Sequence, residues 1–95
     1  MLYAILCEDR PDAGTLRPDT RPAHLDYLAS LGDALKFAGP FVGADGTPEG
    51  SLVMVEAGDE AQARAIAEAD PYAKAGLFSS VTVRAWKWVV NAPAA

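Results

Sequence analysis

An α+β domain of order β-α-β-β-α-β, with two helices on one face of an antiparallel sheet, is the fold class that this 95-residue sequence predicts. Three observations carry it. Four short apolar runs have the composition and spacing of strands, two segments repeat small or apolar residues at helical spacing, and each helix falls between two strands. A chain of this length buries roughly 60–70% of its unfolded surface, enough for one modest core.

Leu2–Glu8 reads as the first strand, with Tyr3, Ile5 and Cys7 on one face and Leu2, Ala4 and Leu6 on the other. Asp9–Asp19 reads as a loop because of Pro11, Gly14 and Pro18, with room for a short turn at Thr15-Leu16-Arg17. Thr20 is then an N-cap, and Pro22 falls in a first turn that tolerates it. Leu25, Leu28 and Leu31 recur at helical spacing until Gly32 stops the run. At about 100° per residue, His24 lies on the same side as Leu28 and Leu31, which turns it toward the sheet and places it near the helix start.

Leu35–Val42 reads as the second strand, irregular at Gly39-Pro40, and Ser51–Ala57 as the third, with turn chemistry at Asp45-Gly46-Thr47-Pro48 between them. Asp59 caps a second helix over Glu60–Ala69, and Gln62 occupies the position of a capping-box acceptor. Asp70-Pro71 ends that helix, Tyr72–Ala75 forms one further turn closed by Gly76, and Val81–Val90 supplies the last strand. Residues 1–90 are thus expected to form a single domain and residues 91–95 a flexible C-terminal tail. This order is the split βαβ pattern of ferredoxin-like folds.

Helices on one face leave the other face of the sheet uncovered, and in a monomer that face should be polar. Here strand one is apolar on both sides, strand three carries Leu52 and Met54 on one face and Val53 and Val55 on the other, and strand four adds Trp86 and Trp88. The expected consequence is a homodimer packed through the sheet face about a twofold axis.

Thirteen acidic residues against eight Lys and Arg give a formal charge of −5, which opposes a phosphate backbone and excludes a nucleic-acid partner. No apolar run approaches the roughly 20 residues of a membrane span, and no signal-peptide pattern precedes Glu8 and Asp9, so no membrane association is expected. One Cys and one His supply neither an internal disulfide nor a structural metal site. A reducing cytoplasm is the default location. The nucleotide loops and the serine-hydrolase elbow are absent from the sequence, so no cofactor is expected and acid–base chemistry is what remains.

His24, in the run Arg21-Pro22-Ala23-His24-Leu25, is the natural candidate, because imidazole exchanges protons near neutral pH and a carboxylate can fix its tautomer. Asp70 could supply that carboxylate, although an Asp before Pro reads first as the N-cap of the turn that follows; its two oxygens allow both roles. Arg21 could hold an anionic substrate group, as could Arg17, though neighbouring Asp19 and Asp26 favour a solvated charged surface. Ser51 could donate a hydrogen bond, and Tyr72 could line the same pocket. Cys7 reads as a buried strand residue.

The opening Met1-Leu2-Tyr3-Ala4-Ile5, the run Arg21–Leu25, Ala38-Gly39-Pro40, Gly50-Ser51, and Ala69-Asp70-Pro71-Tyr72 with Ala75-Gly76 resemble the YciI-like (YCII-related) proteins over almost the whole chain. The resemblance implies a ferredoxin-like protomer that dimerises through its sheet, as in the dimeric α/β-barrel superfamily, and a site centred on a His-Asp pair, His24 and Asp70 by motif. One branch of the family resembles dehydrochlorinases acting on chlorinated hydroxyquinols. Two functions follow as expectations: a cofactor-independent acid–base enzyme, lyase or dehydrochlorinase in kind, acting on an aromatic or otherwise unsaturated small molecule; or a dimeric module that binds or senses a metabolite without converting it.

Overall fold

The computed structural model describes residues 1–94. Strand β1 (Leu2–Asp9) leads to helix α1 (Leu16–Ser30), a 3-10 turn over Gly32–Ala34, and a hairpin of β2 (Leu35–Val42) and β3 (Pro48–Glu56). Helices α2 (Glu60–Ala69) and α3 (Pro71–Lys74) and strand β4 (Phe78–Trp86) follow. The sheet order is β2-β3-β1-β4 with every neighbouring pair antiparallel, the ferredoxin-like arrangement.

Alternation along the strands sorts the side chains. Ile5, Cys7, Val53, Val55 and Val83 face the helices and form the core with Leu28 of α1 and Ala63 and Ala67 of α2. The alanines let α2 lie close to the sheet. Tyr27 ties α1 to α2 by donating its hydroxyl to the carbonyl of Ile66 at 2.8 Å. Asp59 caps α2 by accepting the N–H of Gln62 at 2.8 Å, while Gln62 Oε1 accepts the N–H of Gly58 at 2.9 Å, so the reciprocal bond reaches one residue further back than in a capping box.

Helix α1 starts earlier than the sequence suggests. Its N-cap is Thr15, not Thr20, and the Thr15 hydroxyl donates to Asp19 Oδ2 at 2.8 Å instead of accepting from the backbone. Pro18 is the third helical residue, where the absent N–H costs nothing, and Pro22 lies in the interior. Both prolines are exposed, so water can solvate the Pro18 carbonyl that Pro22 leaves without a donor. His24 therefore lies more than two turns into the helix and not near its start.

The strands differ at their ends for related reasons. β3 starts at Pro48, which the sequence assigns to the turn; Gly46, at φ 82°, and Asp45, whose Oδ1 accepts the N–H of Thr47 at 3.0 Å, complete the turn without it. β2 is an edge strand, so Pro40 is accommodated, and the irregularity expected at Gly39-Pro40 lies instead at Lys36 and Glu49. The bulge at Lys36 places Phe37 opposite Met54, on the sheet face away from the helices. β4 begins at Phe78 and ends at Trp86, four residues short of Val90. Trp88 lies beyond it, edge-on to Phe37 at 5.2 Å, with its indole N–H donating to the Val90 carbonyl at 2.9 Å. The proposed tail runs to Ala95, which falls outside the described residues.

Candidate functional site

The site forms where α1, α3 and the ends of β1 and β3 converge. Asp70 separates α2 from α3, and its extended backbone, with ψ 129°, ends one helix and opens the next. Its Oδ1 accepts the N–H of Tyr72 at 2.9 Å, the capping bond that an Asp-Pro pair favours. Both oxygens of the same carboxylate also lie 2.9 Å from His24 Nδ1. A carboxylate only accepts, so Nδ1 carries the hydrogen, and in the neutral ring Nε2 holds the lone pair. Capping and pairing coexist.

The imidazole is held by its face as well. The ring of Tyr72 stacks on His24 with centroids 4.0 Å apart and planes 19° from parallel, and Phe78 meets Tyr72 edge-on at 6.0 Å. His24 is 7% exposed, Asp70 6% and Tyr72 2%, so the pair is withdrawn from bulk water. Ser51 is also buried, at the start of the helix-facing row of β3.

Arg17, which neighbouring charges make look like a solvated surface residue, is instead partly buried. Its Nε and Nη2 donate to the two oxygens of Asp9, each at 2.7 Å, and Nη2 also donates to Ser51 Oγ at 3.0 Å. The guanidinium carbon stands 4.8 Å from the centroid of Tyr72. The signal in the sequence is a helical one: Arg17, Arg21, His24 and Leu28 fall within about 60° of one another at 100° per residue, provided the helix includes Arg17. A helix starting at Thr20 hides that stripe. Asp9 escapes notice because the sequence places it in a loop and not at the end of β1.

Arg21 is exposed and reaches none of these polar groups, yet it lines the same groove as His24, Arg17, Ser51 and Tyr72. This open groove has a volume of about 1090 Å³, is walled opposite α1 by Ala38–Pro40 and Pro48, and does not include Asp70 in its lining. A substrate would meet the imidazole, with the carboxylate behind it.

Electrostatics follow the packing. The Asp9 carboxylate hydrogen-bonded to Arg17 holds the guanidinium pKa above its usual range. Burial pushes the Tyr72 phenol up, and the charges of Arg17 and Arg21 partly offset that. Beneath the site, burial and then the nearby Asp70 push the Cys7 thiol up to about 12, so it stays protonated and unreactive at neutral pH.

The arrangement can accept or deliver a proton at Nε2 of a ring whose tautomer and plane are both set. Protein YciI of Escherichia coli O6:H1 is 38% identical over 97 residues, covering 94% of this chain and 99% of its own. The derivative of benzaldehyde biosynthesis cluster protein C of Emericella nidulans is 37% identical, covering 82% and 91%. The solved 5-chloro-2-hydroxyhydroquinone dehydrochlorinase TftG of Burkholderia phenoliruptrix, in complex with 2,5-dihydroxybenzoquinone, superposes with a TM-score of 0.81 at 38% identity, covering 92% of this chain and 94% of that one. Residues 1–87 match the YCII-related domain, and the chain belongs to the YCII-related, YciI-like family.

Proposed function

We propose that this protein is a small-molecule acid–base enzyme in which His24 Nε2 moves the proton and Asp70 orients the imidazole. The observation that carries the reading is the double grip on His24: two carboxylate oxygens at 2.9 Å from Nδ1 and a stacked tyrosine at 4.0 Å, in a ring that lines an open groove. Such a ring needs no reorientation before proton transfer. Arg21, Ser51 and Tyr72 contact the substrate. The likeness to TftG supports an elimination of the dehydrochlorinase kind, in which a base takes a proton and chloride leaves with the bonding pair of the C–Cl bond. No cofactor takes part, and residues 1–90 are the working unit, in the cytoplasm.

The test is chloride release from 5-chloro-2-hydroxyhydroquinone and related chlorinated hydroxyquinols by the wild-type protein and His24→Ala. Turnover by the wild type, reduced about 10²- to 10⁴-fold in the variant, is the expected result. Equal turnover in the two removes His24 from the chemistry, and a ligand that binds and is recovered unaltered from the wild type favours the sensing module instead.

The working form is a homodimer through the sheet face. Phe37, Trp86 and Trp88 cluster there, with ring centroids 5.2 to 6.0 Å apart, and Trp86 and Phe41 remain 38% and 43% exposed. Light scattering at micromolar concentration should give twice the chain mass, and a monomer mass there would exclude the dimer.

A further inference from the structure

Three of the five arginines of this acidic chain, Arg10, Arg17 and Arg21, and none of its lysines line the groove that His24 lines. Their charges are not equally compensated. Arg17 is spoken for by Asp9. Among the described residues neither Arg10 nor Arg21 has a carboxylate within 4.0 Å, and the buried Nε of Arg10 has no hydrogen-bond partner. A buried guanidinium N–H without an acceptor is uncommon in a folded protein and marks a place where an acceptor belongs.

The acidic residues of the same lining do not fill that place. Asp9 is engaged with Arg17. Glu8 Oε2 accepts from Ser80 Oγ at 3.0 Å, and Glu49 Oε2 lies against Gly43, 2.9 Å from where a Cβ on that glycine would stand. All three carboxylates thus have contacts of their own, and none of them pairs with Arg10 or Arg21.

We infer that Arg10 and Arg21 form an anion subsite, which takes the oxyanion of the ligand, a carboxylate or an ionised phenol or enol, while the adjoining carbon framework lies against His24. Guanidinium groups suit this task because they remain charged and present planar, forked donors. Leu25, Leu28, Ala38 and Pro40 in the same lining give the framework an apolar wall. The inference rests on the reading that this groove is where a small molecule binds, but it does not depend on what His24 does to it.

Equilibrium titration calorimetry tests it with two matched pairs: benzoate against benzamide, and 4-nitrophenolate against 4-nitroanisole. Each anion should bind about tenfold or more tightly than its neutral partner, and the tighter of the two anions names the group the subsite prefers. Arg10→Gln and Arg21→Gln should each weaken anion binding about fivefold or more and leave the neutral partners within about twofold. Neutral molecules binding as tightly as anions, glutamine variants binding anions as well as the wild type, or no anion binding at millimolar concentration would each overturn the subsite. His24→Ala separates the two readings. Anion selectivity that persists while turnover is indifferent to this substitution defeats the acid–base reading alone; turnover that requires His24 without anion selectivity defeats the subsite alone.

Discussion

His24 and Asp70 meet across 46 residues of chain through one imidazole nitrogen, with Nδ1 placed 2.9 Å from each carboxylate oxygen. The same carboxylate starts α3 by capping Tyr72, whose ring then covers the imidazole it has helped to orient. One acidic side chain thus sets the tautomer directly and the ring plane through its neighbour.

Replacing Asp70 by Asn keeps a capping oxygen but offers an amide N–H to the Nδ1 that must donate. The expected outcome is a turnover loss of about 10²- to 10⁴-fold with a stability loss of about 1–3 kcal/mol, from the unsatisfied buried group. Urea melts alongside the rate assay check both, and a fall in stability without a fall in rate would make Asp70 a brace only.

Breaking the pair of Arg17 and Asp9 should be expensive, because side-chain exposures of 13% and 10% leave little water to compensate. Arg17→Gln is expected to lower stability by about 3 kcal/mol, and Asp9→Asn by a similar amount. The double variant should lose clearly less than the sum, which a thermodynamic cycle from denaturant melts measures.

Cys7 gives a prediction at alkaline pH. Its folded pKa, pushed up to about 12 by burial and then by Asp70, lies above the ordinary value of 9.0, so the unfolded chain loses this proton first. The contribution is complete below pH 9 and declines as pH rises through the window from 9 to about 12. Stability measured across that window should fall more steeply for the wild type than for Cys7→Ser. At pH 8 the native thiol should resist iodoacetamide and react freely only after unfolding.

Gly50 is demanded by the sheet itself. A Cβ there would stand 2.5 Å from the Cys7 carbonyl oxygen and 3.3 Å from the Phe41 ring, so β1 and β3 could not keep their spacing. Gly50→Ala should cost about 1–3 kcal/mol, read as a lower melting temperature. An unchanged melt would show that the strands give way without penalty.

Much of this fold can be read from the chain because its signals are local. Alternation groups Tyr3, Ile5 and Cys7 on one face of β1, which the packing then turns toward the helices, and Asp59 with Gln62 marks the start of α2. The start of α1 is obscured because Pro18 signals a loop wherever its position in the first turn is unknown. A start at Thr20 leaves Arg17 in a loop and hides its burial, since its partner Asp9 and its contact Ser51 lie 8 and 34 residues away. His24 and Asp70 stand out by residue type and motif, but their contact belongs to tertiary packing. Phe37 shows the same limit: strict alternation from Leu35 would send it to the helices, and only the bulge at Lys36 turns it outward to meet Trp86 and Trp88.

The bulge in β4, at Ser79, has a consequence for the site. Glu8 pairs with Ser80, but Asp9 pairs with Phe78, so β4 spends one residue more than β1 at that point. Parity in the strand is thereby reversed, and Phe78 comes to the side of Val81 and Val83, beneath Tyr72. The footing of the imidazole thus depends on an odd residue count in a strand that supplies none of the polar groups bonded to His24. The bulge reconciles that count with the packing: a ladder that stayed regular through Ser79 would turn Phe78 to the other face, away from the tyrosine it supports.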